Sequence, residues 1–291
     1  MDCEIFLIRG IKEHMSREKI LEIQNLKTEF QISKRHITAV NNISLDLRHG
    51  EMIGLVGESG CGKSMTAYSI LQIVPKPGRI TNGIIKYNGG DLIQKDDKYL
   101  QKIRGKEISL VFQDPLSSLN PVYNIFWHFN EVYKAHGSKL SKTERIVEVT
   151  NLLKTVGIQD PQDKIYNFPH QFSGGMRQRV VIALALLLKP KIIIADEPTT
   201  SLDVTTQRAI FDLLKKLRET LEVSIIVISH DLFLITEQCD RVFVMYAGEI
   251  MESGTAEQII KEPLHPYTTG LINSIPSLKP NNSFLEVIPG E

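Results

Sequence analysis

The residues best suited to chemistry lie in one stretch, Gly57-Glu58-Ser59-Gly60-Cys61-Gly62-Lys63-Ser64. It satisfies the pattern G-x-x-x-x-G-K-[ST] at every specified position. Its glycines let the backbone wrap a polyphosphate, and successive N–H groups at a helix N-terminus make an anion-binding concavity. Lys63 supplies a cation for the β- and γ-phosphates, and the Ser64 hydroxyl supplies an oxygen for Mg²⁺. A chance Gly/Ser turn lacks the flanking elements this motif needs. Here Met52-Ile53-Gly54-Leu55-Val56 reads as a buried strand, and Met65 to Ile73 reads as the helix that follows. The expectation is a nucleoside triphosphate site running from Gly57 to Met65. Cys61 needs only a small side chain inside the loop, and packing explains it better than redox chemistry.

Five further groups suit the same chemistry. Ile108-Ser109-Leu110-Val111-Phe112 reads as a strand, and Gln113 at its end is placed to hold Mg²⁺ or an attacking water. Ser173-Gly174-Gly175 stands directly before the apolar helix Val180 to Leu188 and forms a second anion-sized arrangement of N–H groups. Lys191 to Ala195 is a buried strand ending in Asp196 and Glu197. Asp196 is suited to Mg²⁺, and Glu197 to orienting or deprotonating water. Ser201-Leu202-Asp203 follows, with Asp203 placed to cap a helix and to act across an interface. Val223 to Ser229 is another buried strand, and His230 at its exit can reach a γ-phosphate. Two anion sites in one chain imply either two anions or two facing copies that share them.

These groups need a parallel α/β core to carry them. Ile20 to Ile32 and Ile43 to Leu47 alternate as an antiparallel layer does. A base bound there stacks on an aromatic or Arg face; Phe30, Arg35 and His36 are the candidates. Ile84 to Asp91 reads as a strand with a tight turn. The middle of the chain is helix-compatible, with Ser141-Lys142-Thr143-Glu144 as a capping box and Ile146, Val149, Leu152, Leu153 and Val156 at helical spacing. Phe126-Trp127-His128-Phe129 is either helix core or an apolar groove for a partner's helix.

Composition narrows the class. The chain has 291 residues, 42% hydrophobic and 23% charged, as in ordinary globular proteins. Zero formal net charge does not suggest a broad basic surface, so no nucleic-acid partner is expected. No apolar run approaches the ~20 residues that cross a bilayer, so a membrane connection runs through a partner. Cys3, Cys61 and Cys239 are isolated and indicate neither a disulfide framework nor a zinc or iron–sulfur site. Residues 1–14 look detached, either as a frayed tail or as sequence upstream of a start at Met15.

Together these residues resemble the nucleotide-binding subunit of ATP-binding cassette (ABC) transporters. The Walker A loop is Gly57–Ser64, the Q-loop residue Gln113, the signature Phe172-Ser173-Gly174-Gly175-Met176, the Walker B carboxylate Asp196 with Glu197 after it, the D-loop Ser201-Leu202-Asp203 and the switch histidine His230. The order and spacing fit over roughly residues 20–275. A narrower resemblance is to the ATPase subunits of oligopeptide and dipeptide importers, which also serve nickel and metal-chelate uptake. It rests on Phe112-Gln113-Asp114-Pro115, Ser118-Leu119-Asn120-Pro121, Ala195 to Thr205, Val244-Met245-Tyr246-Ala247-Gly248 and His265-Pro266-Tyr267-Thr268. The signature departs by beginning with Phe172 rather than Leu, and Asn124 to Phe129 departs where the family often carries a Gly and a Gln. Many relatives extend past Ile288-Pro289-Gly290 into a Cys-bearing segment, so an iron–sulfur site of that kind is not expected.

The resemblance implies a P-loop NTPase (RecA-like) α/β fold with an antiparallel β-layer and an inserted helical subdomain. The division is a flexible tail over 1–18, the ATPase domain over 19–260 with helices inserted at about 116–185, and a C-terminal extension over 261–291. It implies hydrolysis of ATP with Mg²⁺: Glu197, His230 and Gln113 catalytic, Ser64, Gln113 and Asp196 at the metal, Asp203 at the nucleotide interface. The implied partners are two transmembrane permease subunits, a second ATPase (a paralogue or a second copy) and, indirectly, an extracytoplasmic solute-binding protein. The implied location is peripheral, at the cytoplasmic face of the cell membrane. The rival readings are a soluble ABC ATPase of DNA repair or translation, and an efflux or lipid-export ATPase. The absence of a long coiled coil or a second cassette disfavours the first, and the tail motif disfavours the second.

Overall fold

The computed structural model describes residues 18–32, 35–200 and 202–274. The expectations for residues 1–17, for Ser201 and for residues 275–291 lie outside them. An antiparallel sheet contains β1 (Lys19–Ile32), β2 (Arg35–Arg48), β4 (Gly78–Tyr87) and β5 (Gly90–Asp91), in the order β2-β1-β4-β5. A second sheet contains β3 (Met52–Val56), β6 (Ile108–Val111), β7 (Ile192–Asp196), β8 (Ser224–Ser229), β9 (Arg241–Tyr246) and β10 (Glu249–Thr255). Its order is β10-β9-β3-β8-β7-β6, parallel except for the β9–β10 hairpin.

The central strands β3, β7 and β8 are buried along their whole length, as a sheet covered on both faces requires. Alternation divides their side chains between two cores. Ile53, Leu55, Ile192, Ile194, Ile226 and Ile228 face the antiparallel sheet. Met52, Val56, Ile193, Ala195, Ile225 and Val227 face a core built mostly with helices. Parallel register brings Val56 beside Ser229 and Asp196 beside Ile228. The residues that follow these strands therefore emerge along one edge, the carboxyl edge where open α/β sheets bind ligands.

The helices are α1 (Lys63–Ile70), α2 (Asp97–Ile103), α3 (Pro115–Ser118), α4 (Ile125–Ala135), α5 (Lys142–Thr155), α6 (Pro161–Lys164), α7 (Gly174–Leu186), α8 (Val204–Leu221), α9 (Leu232–Gln238), α10 (Ala256–Lys261) and α11 (Pro266–Asn273). Helices α3 to α7 intervene between β6 and β7. The capping box at Ser141 and Glu144 is formed in both directions. Helix α1 begins at Lys63 rather than Met65 and ends at Ile70 rather than Ile73, because Gln72 turns to a left-handed φ of 52°. In α4 the aromatic cluster divides. Phe126, His128 and Phe129 are buried, and Trp127 stacks outside on Tyr123 with ring centroids 3.8 Å apart. Among the described residues no helix is long and apolar enough to cross a membrane.

Candidate nucleotide site

The phosphate loop follows β3 at the carboxyl edge. Its glycines are required by close approach: a Cβ at Gly57 would stand 2.0 Å from the Met245 carbonyl oxygen, and one at Gly62 2.2 Å from that of Ala39. Gly62 also has a φ of 107°, which only glycine adopts cheaply. The loop is latched from both sheets, since Gly248 N–H donates to Cys61 O at 2.9 Å and Asn41 N–H donates to Gly248 O at 2.8 Å. Lys63 is buried, and its ammonium donates to the Gly57 and Glu58 carbonyls at 2.8 Å each. Gly62 caps α1 without a side-chain hydrogen bond, leaving that end to bare N–H groups suited to an anion. Glu58, Ser59 and Gly60 line the open rim, whereas Cys61 is buried. Burial raises the Cys61 thiol pKa, in keeping with a packing role. Met65 sits half-buried in the first turn of α1.

Two carboxylates stand beside this loop in different environments. Ser64 Oγ donates to Asp196 Oδ1 at 2.9 Å, while the buried Asp196 Oδ2 has no hydrogen-bond partner. Desolvation pushes the Asp196 carboxyl up to about 6, against the Ser64 hydrogen bond that lowers it. Glu197 leaves the strand with a φ of 45° while its N–H donates to Ile228 O at 2.9 Å. That strained turn aims its carboxylate sideways. Glu197 Oε2 accepts from Gln113 Nε2 at 2.8 Å and from Thr200 Oγ1 at 2.7 Å, and His230 Nδ1 lies 3.6 Å away. Gln113 and His230, both remote in sequence, and the nearby Thr200 thus converge on one oxygen. Thr200, quoted only as part of a motif, had no expected role; its signal was a hydroxyl three residues after the glutamate.

Ser64, Gln113, Asp196, Glu197 and His230 are brought together. Ser173, Gly174 and Gly175 are not joined to them by any hydrogen bond or ion pair among the described residues. Ser173 caps α7 by accepting from Met176 N–H at 3.3 Å. A Cβ at Gly174 would lie 3.1 Å from Leu202, and one at Gly175 2.6 Å from Thr206. Asp203 caps α8 and places both oxygens on Thr206, with distances of 3.0 and 2.7 Å; these bonds lower its pKa. Of the stacking candidates, Phe30 is half-buried beside Gly78 and Arg35 and His36 are exposed. A hard, oxygen-seeking cation fits the Ser64–Asp196 pair on the chemistry of its donors and on the unpartnered Asp196 Oδ2.

A phosphate loop, a carboxylate pair at the strand ends and an inserted helical segment define an ATP-binding cassette. The family model "ABC transporter" matches residues 40–200, and "Oligopeptide/dipeptide transporter, C-terminal region" matches residues 251–291. The chain belongs to the ABC transporter family, as an ATP-binding subunit with ATP-hydrolysing activity. It is 46% identical to the dipeptide transport ATP-binding protein DppD of Bacillus subtilis over 94% of this chain and 82% of that protein. It is 44% identical to the oligopeptide transport ATP-binding protein OppD of the same organism, over 94% and 76%. The solved ATP-binding cassette MJ0796, a dimer in a post-hydrolysis state bound to ADP and Pi, superposes with a TM-score of 0.70 at 29% identity, covering 81% of this chain and 98% of that one.

Proposed function

We propose that this chain hydrolyses Mg-ATP to energise a membrane importer of dipeptides or oligopeptides, as a peripheral subunit at the cytoplasmic face. The convergence of Gln113, Thr200 and His230 on Glu197 beside the phosphate loop carries the hydrolytic reading. The match over residues 251–291 and the relatives' names support the peptide cargo.

Lys63 and the N–H groups from Gly60 to Met65 hold the polyphosphate, and Ser64 and Asp196 would hold the cation. Mg²⁺, when bound, neutralises charge on the phosphate oxygens. Glu197 orients the attacking water and takes its proton. Gln113 and Thr200 fix its carboxylate, and His230, beside Glu197, contacts the γ-phosphate. Ser173-Gly174-Gly175, apart from this cluster in one chain, serves the nucleotide of a second ATPase subunit placed head to tail, with Asp203 at that interface. The complex has two permease subunits, whose helices dock in the grooves after Gln113 of the two ATPase subunits, and a solute-binding protein outside supplies the cargo.

The test is reconstitution of the chain with its co-purifying membrane subunits in vesicles, measuring ATP hydrolysis with and without peptide-loaded binding protein. Peptide-dependent stimulation is expected. Hydrolysis that ignores peptides while responding to a nickel chelate would reject the cargo and leave the ATPase standing.

A further inference from the structure

Among the described residues, the C-terminal region reaches the phosphate loop through the side chain of Tyr267. Glu58 N–H donates to Tyr267 Oη at 3.2 Å, across 209 residues of sequence. That N–H belongs to the peptide unit whose carbonyl, Gly57 O, accepts from Lys63 Nζ at 2.8 Å. One peptide plane is therefore held at its two ends, by the loop lysine and by the C-terminal tyrosine. Hydrogen bonds at opposite ends of an amide polarise and align one another. The Met245 carbonyl packs against Gly57 from the side, so without the tyrosine the plane keeps its position but loses its angular restraint.

The tyrosine is itself firmly placed. It is 8% exposed, and its ring lies 4.6 Å from that of Tyr246 in β9. Its helix, α11, starts at Pro266 with His265 Nδ1 accepting from Tyr267 N–H at 3.1 Å. Glu252 in β10 accepts from the backbone N–H groups of Leu264 and His265 at 2.8 and 3.0 Å. These contacts fix the segment Leu264 to Tyr267 on the cassette. Burial pushes the phenol up to about 12, so the hydroxyl that accepts from Glu58 N–H stays neutral.

We propose that Tyr267 is a positioning residue for ATP: through the Gly57–Glu58 peptide it sets the orientation of Lys63, and so couples the C-terminal region to phosphate binding. This rests on the nucleotide-site reading above. It assigns the His265-Pro266-Tyr267-Thr268 motif a task inside the cassette, whatever the cargo.

The test is Tyr267→Phe in the full chain, which keeps the ring and removes only the acceptor. Affinity is read by titration with Mg-ATP, with thermal melting and residue-resolved amide exchange in the absence of nucleotide, and turnover is read in the assembled complex. The dissociation constant and KM for Mg-ATP should rise about 3–10-fold, the worth of one neutral hydrogen bond, with kcat within about twofold. Exchange should quicken at Glu58, with melting unchanged. An unaltered dissociation constant overturns the proposal. So does a weakening that comes with a lower melting temperature and faster exchange throughout α11, which would make the hydroxyl a general brace. A wild-type chain that binds no Mg-ATP overturns the nucleotide site itself, and the proposal with it.

Discussion

The two glycine-rich helix starts of this chain, at Gly57–Ser64 and at Ser173–Gly175, are built from the same materials and finished differently. Around Gly57–Ser64 the chain supplies everything locally: glycines pressed against the Ala39 and Met245 carbonyls, a buried lysine, and two carboxylates with their partners. Around Ser173–Gly175 it supplies a capped helix start against Leu202 and Thr206. The first end is a site. The second is a capped helix start that, in the function proposed above, meets the nucleotide of another subunit. On that proposal binding is a property of one chain, and turnover a property of the assembly.

The sharpest way to break that comparison is Glu197→Gln. It should leave Mg-ATP affinity intact and slow hydrolysis by ~10²–10⁴-fold, the usual worth of a positioned base; near-normal turnover would remove Glu197 from its role. Asp196→Asn tests the cost stored at the finished end. A carboxyl whose pKa rises on folding from 3.8 to about 6 stabilises the fold only while protonated. Stability falls as pH rises through that window, and the penalty is complete above it. Without Mg²⁺ near neutral pH, the asparagine variant should therefore be more stable by about 1–3 kcal/mol. The gain should vanish at or below the unfolded-state pKa, as thermal melting at several pH values will show. Ser173→Ala addresses the other end. The isolated chain should bind Mg-ATP as before, while turnover of the assembled complex falls ~10-fold; weaker binding by the isolated chain would mean that the two ends communicate within one subunit. Thr200→Val is the mildest, lowering kcat ~5-fold through a looser Glu197 with KM unchanged.

The same comparison explains what could be read without coordinates. The phosphate loop, the capping box at Ser141 and the carboxylates after β7 are written in consecutive residues, because local backbone geometry demands those residue types. The strands of the buried sheet announce themselves by unbroken apolar runs such as Ile192-Ile193-Ile194. Contacts between remote segments leave no such trace. Nothing local says that Gln113 meets Glu197, or that Tyr267 meets Glu58. The cluster at Phe126 to Phe129 was ambiguous for a related reason. Helical geometry turns Trp127 off the buried face onto Tyr123, with only the edge of His128 against it.

The strand order has a consequence for the ribosome. β3 leads directly into the phosphate loop, yet its hydrogen-bonded neighbours are β8 and β9, and the carbonyl pressed against Gly57 belongs to Met245. At ~5–20 residues per second, roughly 10–40 s of translation separate the loop from the strands that shape it. A nascent chain that has displayed Gly57–Ser64 therefore cannot yet grip a nucleotide. The chain becomes competent for ATP only once β8 and β9 have been made, so a product terminated before them is inert toward the cell's ATP pool.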